Sequence, residues 1–496
     1  MKIAIIGGGI SGLTAAYELE LARRRGADID WHLYESTNRL GGTIETTRRD
    51  GYILEGGPDG WVTEKPWATD LAIELGLESD LIYSNDATRK TYILKECGNA
   101  GQVAGALQPI PDGMRMMVPT DLTALEASPL FSATAREAYA DELTRADELR
   151  TSAPDHDESV ATFIRRHFGE EVLTTLAAPL LSGVFGGDVD KLSVRAVMPA
   201  FVAMEREHGS LIAAIQSKAK QSQQPIFTSL RNGVASLTEA LIAQLPAERL
   251  HLNRSALSLK REGKLWCLRT SKGAGKTKKH FHHILLATPA DTTRTLLAPL
   301  DPQTSPLIPQ QSSSAILATF AWPAETASTF TIPPGFGFLV PQQNIVISTE
   351  AQRSGETRSS AATEPQILAC TFANQKFPHR TPTAARLIRV FFGNSSAEAF
   401  ANTPDDQIAT TALTQLEKIL GPLPAPDVTL TTVRRLPRSL PQYEVGHIER
   451  IAALDAQIAA LGNLTLLGNA YRGVGLPDLI RDARAAARKL VDHPTL

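Results

Sequence analysis

Only three cysteines occur in the 496-residue chain, Cys97, Cys267 and Cys370, and they lie far apart with no C-x-x-C pair. Their spacing suggests neither a disulfide framework nor a metal site, and the thiols suit a reducing compartment as filler rather than as chemistry. No apolar run reaches the ~18 residues that a membrane-spanning helix needs. Neither sign of charge dominates. Fifty basic against 53 acidic residues leave a net charge of -3, which gives no electrostatic case for nucleic acid. A strand that begins at residue 2 leaves no room for a signal peptide, so the expected location is cytoplasmic. There is no internal repeat. No nucleophile–base pair and no metal-ligand cluster stands out, so no catalytic side chain and no metal are assigned.

The chain is long enough for two or three domains, and a hydrophobic fraction of 43% with 21% charged residues is that of a globular protein. Its organising stretch comes first. An apolar run (Ile3, Ala4, Ile5, Ile6) turns through GGGISG at 7–12 into a helical pattern carried by Leu13, Ala16, Tyr17 and Leu19. In this G-x-G-x-x-G turn, Gly7 permits the tight bend, Gly9 lets a pyrophosphate approach the backbone, and Gly12 lets the helix pack on the sheet. The helix N-terminus offers unpaired N–H groups and a positive partial charge. Glycine turns also serve ordinary packing. A second apolar run, Trp31 to Tyr34, ends in Glu35, where an acid takes ribose hydroxyls, and favours a dinucleotide. Arg39 then supplies a cation and Gly41–Gly42 two small residues, while GYILEGGPDG at 51–60 is a strand breaking into another glycine turn. Spacing alone does not separate NAD from FAD.

Further along, 71–79 reads as a helix ending near Gly76, and Thr91 to Leu94 as a strand followed by Lys95. Pro109, Pro111, Gly113 and Pro119 mark a crossing, and 120–222 turns helical with an acidic break at 155–158. Gly233 feeds an amphipathic helix, 249–259 reads as one strand, 261–280 as a polar hairpin, and a strand ends in LLATPA at 285–290. Between 300 and 440, apolar runs alternate with proline-rich turns, as in a large mixed sheet; 348–365 is polar and reads as a surface loop. LTLLGNAYRGVGLPDLI at 464–480 repeats the opening logic of strand, glycine turn and helix start.

Several blocks together resemble the oxygen-dependent protoporphyrinogen/coproporphyrinogen oxidase family of the flavin-containing amine oxidase superfamily. They are EGGPDGW at 55–61, PLLSGVFGGDVDKLSVRAVMP at 179–199, FGFLVP at 336–341 and CTFANQKFPHRTP at 370–382. RLIRVFFG at 386–393, LPQYEVGHIER at 440–450 and GNAYRGVGLPDLI at 468–480 complete the set, so the resemblance spans almost the whole chain. It implies FAD and an α/β fold: a discontinuous Rossmann-type FAD-binding domain with an inserted mixed-sheet substrate domain and a helical insert. The expected pieces are 1–90, 223–298 and 441–496 for the FAD-binding domain, and 91–119 and 299–440 for the substrate domain. Residues 120–222 form the helical insert, read either as a docking surface for a membrane or as a stabilising cap without a role.

Carried over position by position, the FAD contacts fall on Gly7, Gly8, Gly9, Ile10, Ser11, Gly12, Glu35, Ser36, Arg39, Gly41, Gly42, Gly57, Pro58, Asp59, Gly60, Ala256, Val474, Gly475 and Leu476. Ala256 stands where valine is more usual in the family. The resemblance implies six-electron oxidation of a porphyrinogen to an aromatic porphyrin. Hydride passes to the flavin in three rounds, and molecular oxygen is reduced to hydrogen peroxide. Leu339 and Phe391 match the apolar positions that sandwich the macrocycle. Thr371 falls where leucine is common, and Lys95 aligns with a residue that pairs with a propionate in some members. Core packing of Leu339 and Phe391, and a solvated Lys95, are the plain alternatives. Arg115 and Lys376 are further cations for the carboxylates, and His447 reads as structural.

Protoporphyrinogen IX is the favoured substrate, with coproporphyrinogen III nearly equal. A homodimer and peripheral membrane contact are expectations from the family. The rivals are a flavin amine oxidase or carotenoid desaturase on the same fold, and a flavin-binding protein without turnover. Many amine oxidases hold flavin through a cysteine near the last glycine turn, and no cysteine follows Cys370 here.

Overall fold

Five short parallel strands from widely separated parts of the chain set the first glycine turn in place. The computed structural model describes residues 1–96, 105–217, 224–273, 275–342 and 365–492. The strand order is Leu250–His251, Asp30–Tyr34, Lys2–Ile6, His283–Leu286 and Leu464–Leu466, with every neighbour parallel. Lys2–Ile6 is central and has helices or strands over both faces. Ile3 and Ile5 enter one core, Ala4 and Ile6 another, which is why the strand is a continuous apolar run rather than an alternating one. The first helix, Ile10–Arg24, lies beside the last, Leu476–Asp492. Glu18 of the former takes Arg488 at 3.0 Å and Arg484 at 3.2 Å from the latter.

The stretch 249–259, expected as one strand, is two. Leu250–His251 joins the parallel sheet, and the chain turns at Asn253 (φ +53°) before Ala256–Glu262 starts an antiparallel meander with Leu265–Lys272 and Gly275–Phe281. A hairpin of Thr46–Arg49 with Tyr52–Glu55 was not anticipated, because its first strand is polar and mostly exposed.

The large mixed sheet has seven strands. In order they are Leu430–Pro441, Ser312–Trp322, Arg386–Gly393, Ala369–Phe372, Gly337–Leu339, Thr91–Glu96 and Gly105–Pro109. The pairing of Gly337–Leu339 with Thr91–Glu96 is parallel and the other pairings are antiparallel. One face, with Phe338, Cys370, Val390 and Ala318, is sealed in a core with the helix Asp405–Leu420. The other face positions the candidate site.

Packed on the mixed sheet through Ile93 and Leu339 is a helical unit whose own core contains Phe131, Tyr139, Phe163, Phe168 and Leu176. Ser132 and Ser159 cap two of its helices by accepting from the Ala135 and Thr162 amides. A π-helical turn at Leu173–Ala177 leads into Ala178–Phe185. Among the described residues, no helix is long and apolar enough to cross a membrane. Cys97 and most of the 348–365 loop lie outside the described residues.

Candidate active site

The first glycine turn divides its labour between packing and an opening. A Cβ on Gly12 would lie 1.9 Å from the Gly7 carbonyl oxygen, and one on Gly7 (φ +108°) would lie 2.2 Å from the Ala287 oxygen. Both glycines are demanded by the fold. Gly9 is different, because a Cβ there would meet nothing nearer than the Gly42 Cα at 3.9 Å. Gly9 is also the N-cap of the first helix, with no side chain capping it and no acid in the first turn, which includes Ile10 and Ser11. Gly41 bridges to Gly9 and donates to the Gly8 carbonyl at 2.8 Å, so the second glycine loop runs along the first. An uncapped helix N-terminus between two bare glycine loops fits a pyrophosphate. Glu35 closes one end. One carboxylate oxygen accepts from the Gly8 amide at 2.8 Å, and the other accepts from the Thr37 amide at 2.8 Å and the Ser36 hydroxyl at 3.1 Å.

Arg39 is tied to the second glycine loop. Its guanidinium donates to the carbonyls of Ile44 (3.0 Å), Leu40 (3.3 Å) and Gly42, and it pairs with Glu45 at 3.1 Å. It braces the glycine loop. Ala256 opens the meander and pairs with Thr270. Val474 and Gly475 are half-buried in the turn before Leu476 starts the last helix. That turn is held by Tyr443, whose hydroxyl accepts from the Gly473 amide at 3.0 Å and donates to the Asn469 carbonyl at 2.6 Å. His447 stacks on Tyr443 at 3.9 Å and bonds the Tyr471 carbonyl at 2.8 Å; burial lowers its pKa to about 4. It is a structural neutral imidazole.

The loop Gly57-Pro58-Asp59-Gly60 leans on the mixed sheet. Cβ atoms on Gly57 and Gly60 would strike the Thr43 and Thr228 carbonyls at 2.1 and 2.5 Å. Asp59 pairs with Lys376 at 3.0 Å and with Arg389 at 3.1 Å, and Arg389 also donates to the Gly57 carbonyl at 2.6 Å. Burial opposes ionisation of Asp59, but Lys376 and Arg389 outweigh it and hold the carboxyl well below the usual range. Lys376, expected as a free cation for substrate carboxylates, is therefore spent on Asp59. Arg115 is exposed on a short hairpin with Val118–Pro119.

Strand register brings four sequence-predicted positions to one sheet face. Leu339 pairs with Ile93 on one side and Ala369 on the other, and Ala369 pairs with Phe391. Thr371 pairs with Gly337 and Arg389 in the adjoining row, and Lys95 follows Ile93 by two residues, so all four share the face. Leu339, Thr371 and Phe391 are half-buried, whereas their neighbours Phe338, Cys370 and Val390 on the opposite face are sealed. The helix Ala178–Phe185 covers one end of the face, where a Cβ on Gly183 would lie 3.5 Å from Leu339. At the other end, the Arg389 guanidinium sits 5.2 Å from the Phe391 ring centre. The Lys95 ammonium donates to the carbonyls of Pro129 (2.9 Å) and Leu130 (3.1 Å), which leaves one of its three N–H groups.

Sequence reasoning missed Arg380 and Arg389. Arg380 is fully buried, pairs with Glu55 at 3.0 Å and donates to the Asp59 carbonyl at 3.2 Å. It also missed that Cys267 lies directly opposite His280 with Glu262 beside them, all within 4.8 Å. Lys278 already holds Glu262 at 3.0 Å there, and a cation would have to displace it.

Comparison with known proteins covers nearly the whole chain. The coproporphyrinogen III oxidase of Bacillus subtilis is 30% identical over 494 residues, covering 98% of this chain and 96% of the relative. The chloroplastic protoporphyrinogen oxidase of Nicotiana tabacum is 26% identical, covering 99% of this chain and 85% of the relative. A solved structure from Exiguobacterium sp. 255-15, named as a candidate protoporphyrinogen oxidase, superposes with a TM-score of 0.81 at 30% identity, over 99% of this chain and 98% of that one. The family described as flavin containing amine oxidoreductase matches residues 10–491, and the chain belongs to it.

Proposed function

We propose that the protein is an FAD- and oxygen-dependent porphyrinogen oxidase of haem biosynthesis. It takes protoporphyrinogen IX to protoporphyrin IX by six-electron oxidation with release of hydrogen peroxide. The observation that carries this is the one sheet face holding half-buried Leu339, Thr371 and Phe391 with exposed Lys95, on which Arg389 clamps the 57–60 loop. A flat apolar macrocycle with carboxylate arms needs such walls and a cation. Oxidation of coproporphyrinogen III by the same chemistry is a second reading, favoured by the name of the Bacillus subtilis relative at 30% identity.

FAD, when bound, supplies the hydride acceptor that molecular oxygen regenerates. The residues that would hold it are Gly9, Ile10 and Ser11 at the pyrophosphate, Glu35 at the ribose, Ala256 through its backbone, and Gly41, Gly42, Gly57 to Gly60 and Val474 to Leu476 around the rest. Leu339 and Phe391 fix the plane of the macrocycle and keep water from it. The remaining N–H of Lys95 anchors one carboxylate. Thr371 shapes the floor between them. No side chain is needed as a base on carbon, because a pyrrole N–H can lose the proton and aromatisation drives the reaction, so the protein chiefly orients. The pieces 1–90, 223–298 and 441–496 serve as the FAD-binding domain and 91–119 with 299–440 as the substrate domain. We assign 120–222 as its cover, with a homodimer and peripheral membrane contact through these helices as further parts of the proposal. Anaerobic mixing of flavin-loaded protein with each porphyrinogen should bleach the flavin band; an unbleached flavin with both contradicts the assignment.

A further inference from the structure

The segment 374–386 has two sides. One carries Lys376 and Arg380, which hold the 57–60 loop. The other borders a cavity of about 510 Å³ lined by Ile332, Asn374, Thr381, Thr383 and Arg386, among others. Arg386 opens the strand Arg386–Gly393, and the cross-strand pair with Trp322 fixes its position at the sheet end.

Among the described residues, the side chain of half-buried Arg386 has no hydrogen bond and no ion pair, and its Nη1 is covered without an acceptor. Its one ring contact is Phe330, whose centre lies 4.3 Å from the guanidinium carbon. A cation–π contact compensates only part of the lost hydration of a buried guanidinium nitrogen, which ordinarily meets a carboxylate, carbonyl or water. The fully buried arginines of this region, Arg380 and Arg389, each have carboxylate and carbonyl partners. Burial lowers the pKa of Arg386, and no neighbouring carboxylate offsets it. Neutral donors surround the same cavity. Asn374 uses its carbonyl oxygen to accept from the Leu387 amide at 3.3 Å, which turns its NH2 to other partners, and the Thr383 hydroxyl is exposed. Ala384 holds a left-handed backbone (φ +61°), strain of the kind that persists where a loop is shaped for a purpose.

We propose that this cavity binds a small oxyanion, a carboxylate or phosphate group, held by the Arg386 guanidinium, whose covered Nη1 turns outward to complete the fork, with Asn374 and Thr383 as neutral donors. The site is separate from the flavin cleft and does not depend on the porphyrinogen assignment. Its ligand seats on the reverse of the turn that holds Asp59.

Isothermal titration of the flavin-loaded protein with inorganic phosphate and with acetate, at ionic strength matched by sodium chloride, tests it. Saturable binding of at least one of the two is expected, weakened about tenfold or more in R386Q and less in R386K, which keeps the charge without the fork. The tighter of the two identifies a phosphate or a carboxylate as the natural group. Heats no different from chloride for both anions overturn the proposal, as does undiminished binding in R386Q. If R386Q fails to fold, R386K decides, and wild-type affinity in that variant overturns the proposal as well.

Discussion

Asp59, in the loop that follows the hairpin of Thr46–Arg49 and Tyr52–Glu55, and Arg389, on the mixed sheet, form a 3.1 Å ion pair that ties the 57–60 loop to the face of Leu339, Thr371 and Phe391. Arg389 lies beside Thr371 in register and 5.2 Å from the Phe391 ring centre, so one guanidinium links the 57–60 loop to that face. Asp59→Asn should cost roughly 3 kcal/mol of stability, because it leaves Lys376 and Arg389 short of a counter-charge. The flavin absorbance should also shift as the loop loosens. Denaturant melts and visible spectra of the variant check both effects.

Two glycines in one turn should fail differently. Gly12→Ala places a methyl 1.9 Å from the Gly7 oxygen and should yield little folded protein. Gly9→Ala has room in the protein, with an extended backbone (φ -74°, ψ -177°) that alanine accepts. It should fold with a wild-type melting temperature as apoprotein yet bind FAD at least about tenfold more weakly. Titrating FAD into the two apoproteins, with melts alongside, separates a packing glycine from a ligand glycine.

How much of this was legible in the sequence follows from distance along the chain. The opening turn was, since Gly7, Gly9, Gly12 and Glu35 constrain one another locally. The substrate face was not legible from local pattern; only the family resemblance pointed to it. Leu339, Thr371 and Phe391 meet through the pairing of three separate strands, and nothing in any one strand states that register. Lys376 read as a free cation because Asp59, its partner, is 317 residues away. The strand expected at 249–259 failed at Asn253, where a left-handed residue splits an otherwise alternating pattern.

Phe391→Ala should leave FAD bound and raise the apparent KM for porphyrinogen about tenfold, worth ~1.4 kcal/mol, because it removes one apolar wall. Steady-state kinetics with the flavin content measured in parallel check it. On the proposed role of its remaining N–H in anchoring a carboxylate, Lys95→Ala should raise KM more than it lowers kcat. An equal fall in kcat would place the ammonium in the reaction itself.

The helical unit should carry a pH signature. His167 is fully buried between Glu142 (3.0 Å) and Glu205 (3.1 Å). Burial works against its charge, but the hydrogen bonds to the two carboxylates prevail and its pKa is raised. A raised folded pKa means the stabilisation is complete below the ordinary imidazole value of ~6.5 and is lost as pH rises through the higher folded value. Thermal melts should therefore decline as pH rises above ~6.5, and His167→Gln should flatten that decline while lowering stability by roughly 3 kcal/mol.

The most direct test of the central claim is a fluorescence assay of flavin-loaded protein under air with protoporphyrinogen IX and coproporphyrinogen III side by side. Porphyrin fluorescence should rise faster than the uncatalysed rate with at least one of them, accompanied by three molecules of peroxide per porphyrin, and the faster substrate fixes the specificity. Fluorescence at the uncatalysed rate with both, while the flavin stays bound, would contradict the assignment and send the search to amines and polyenes.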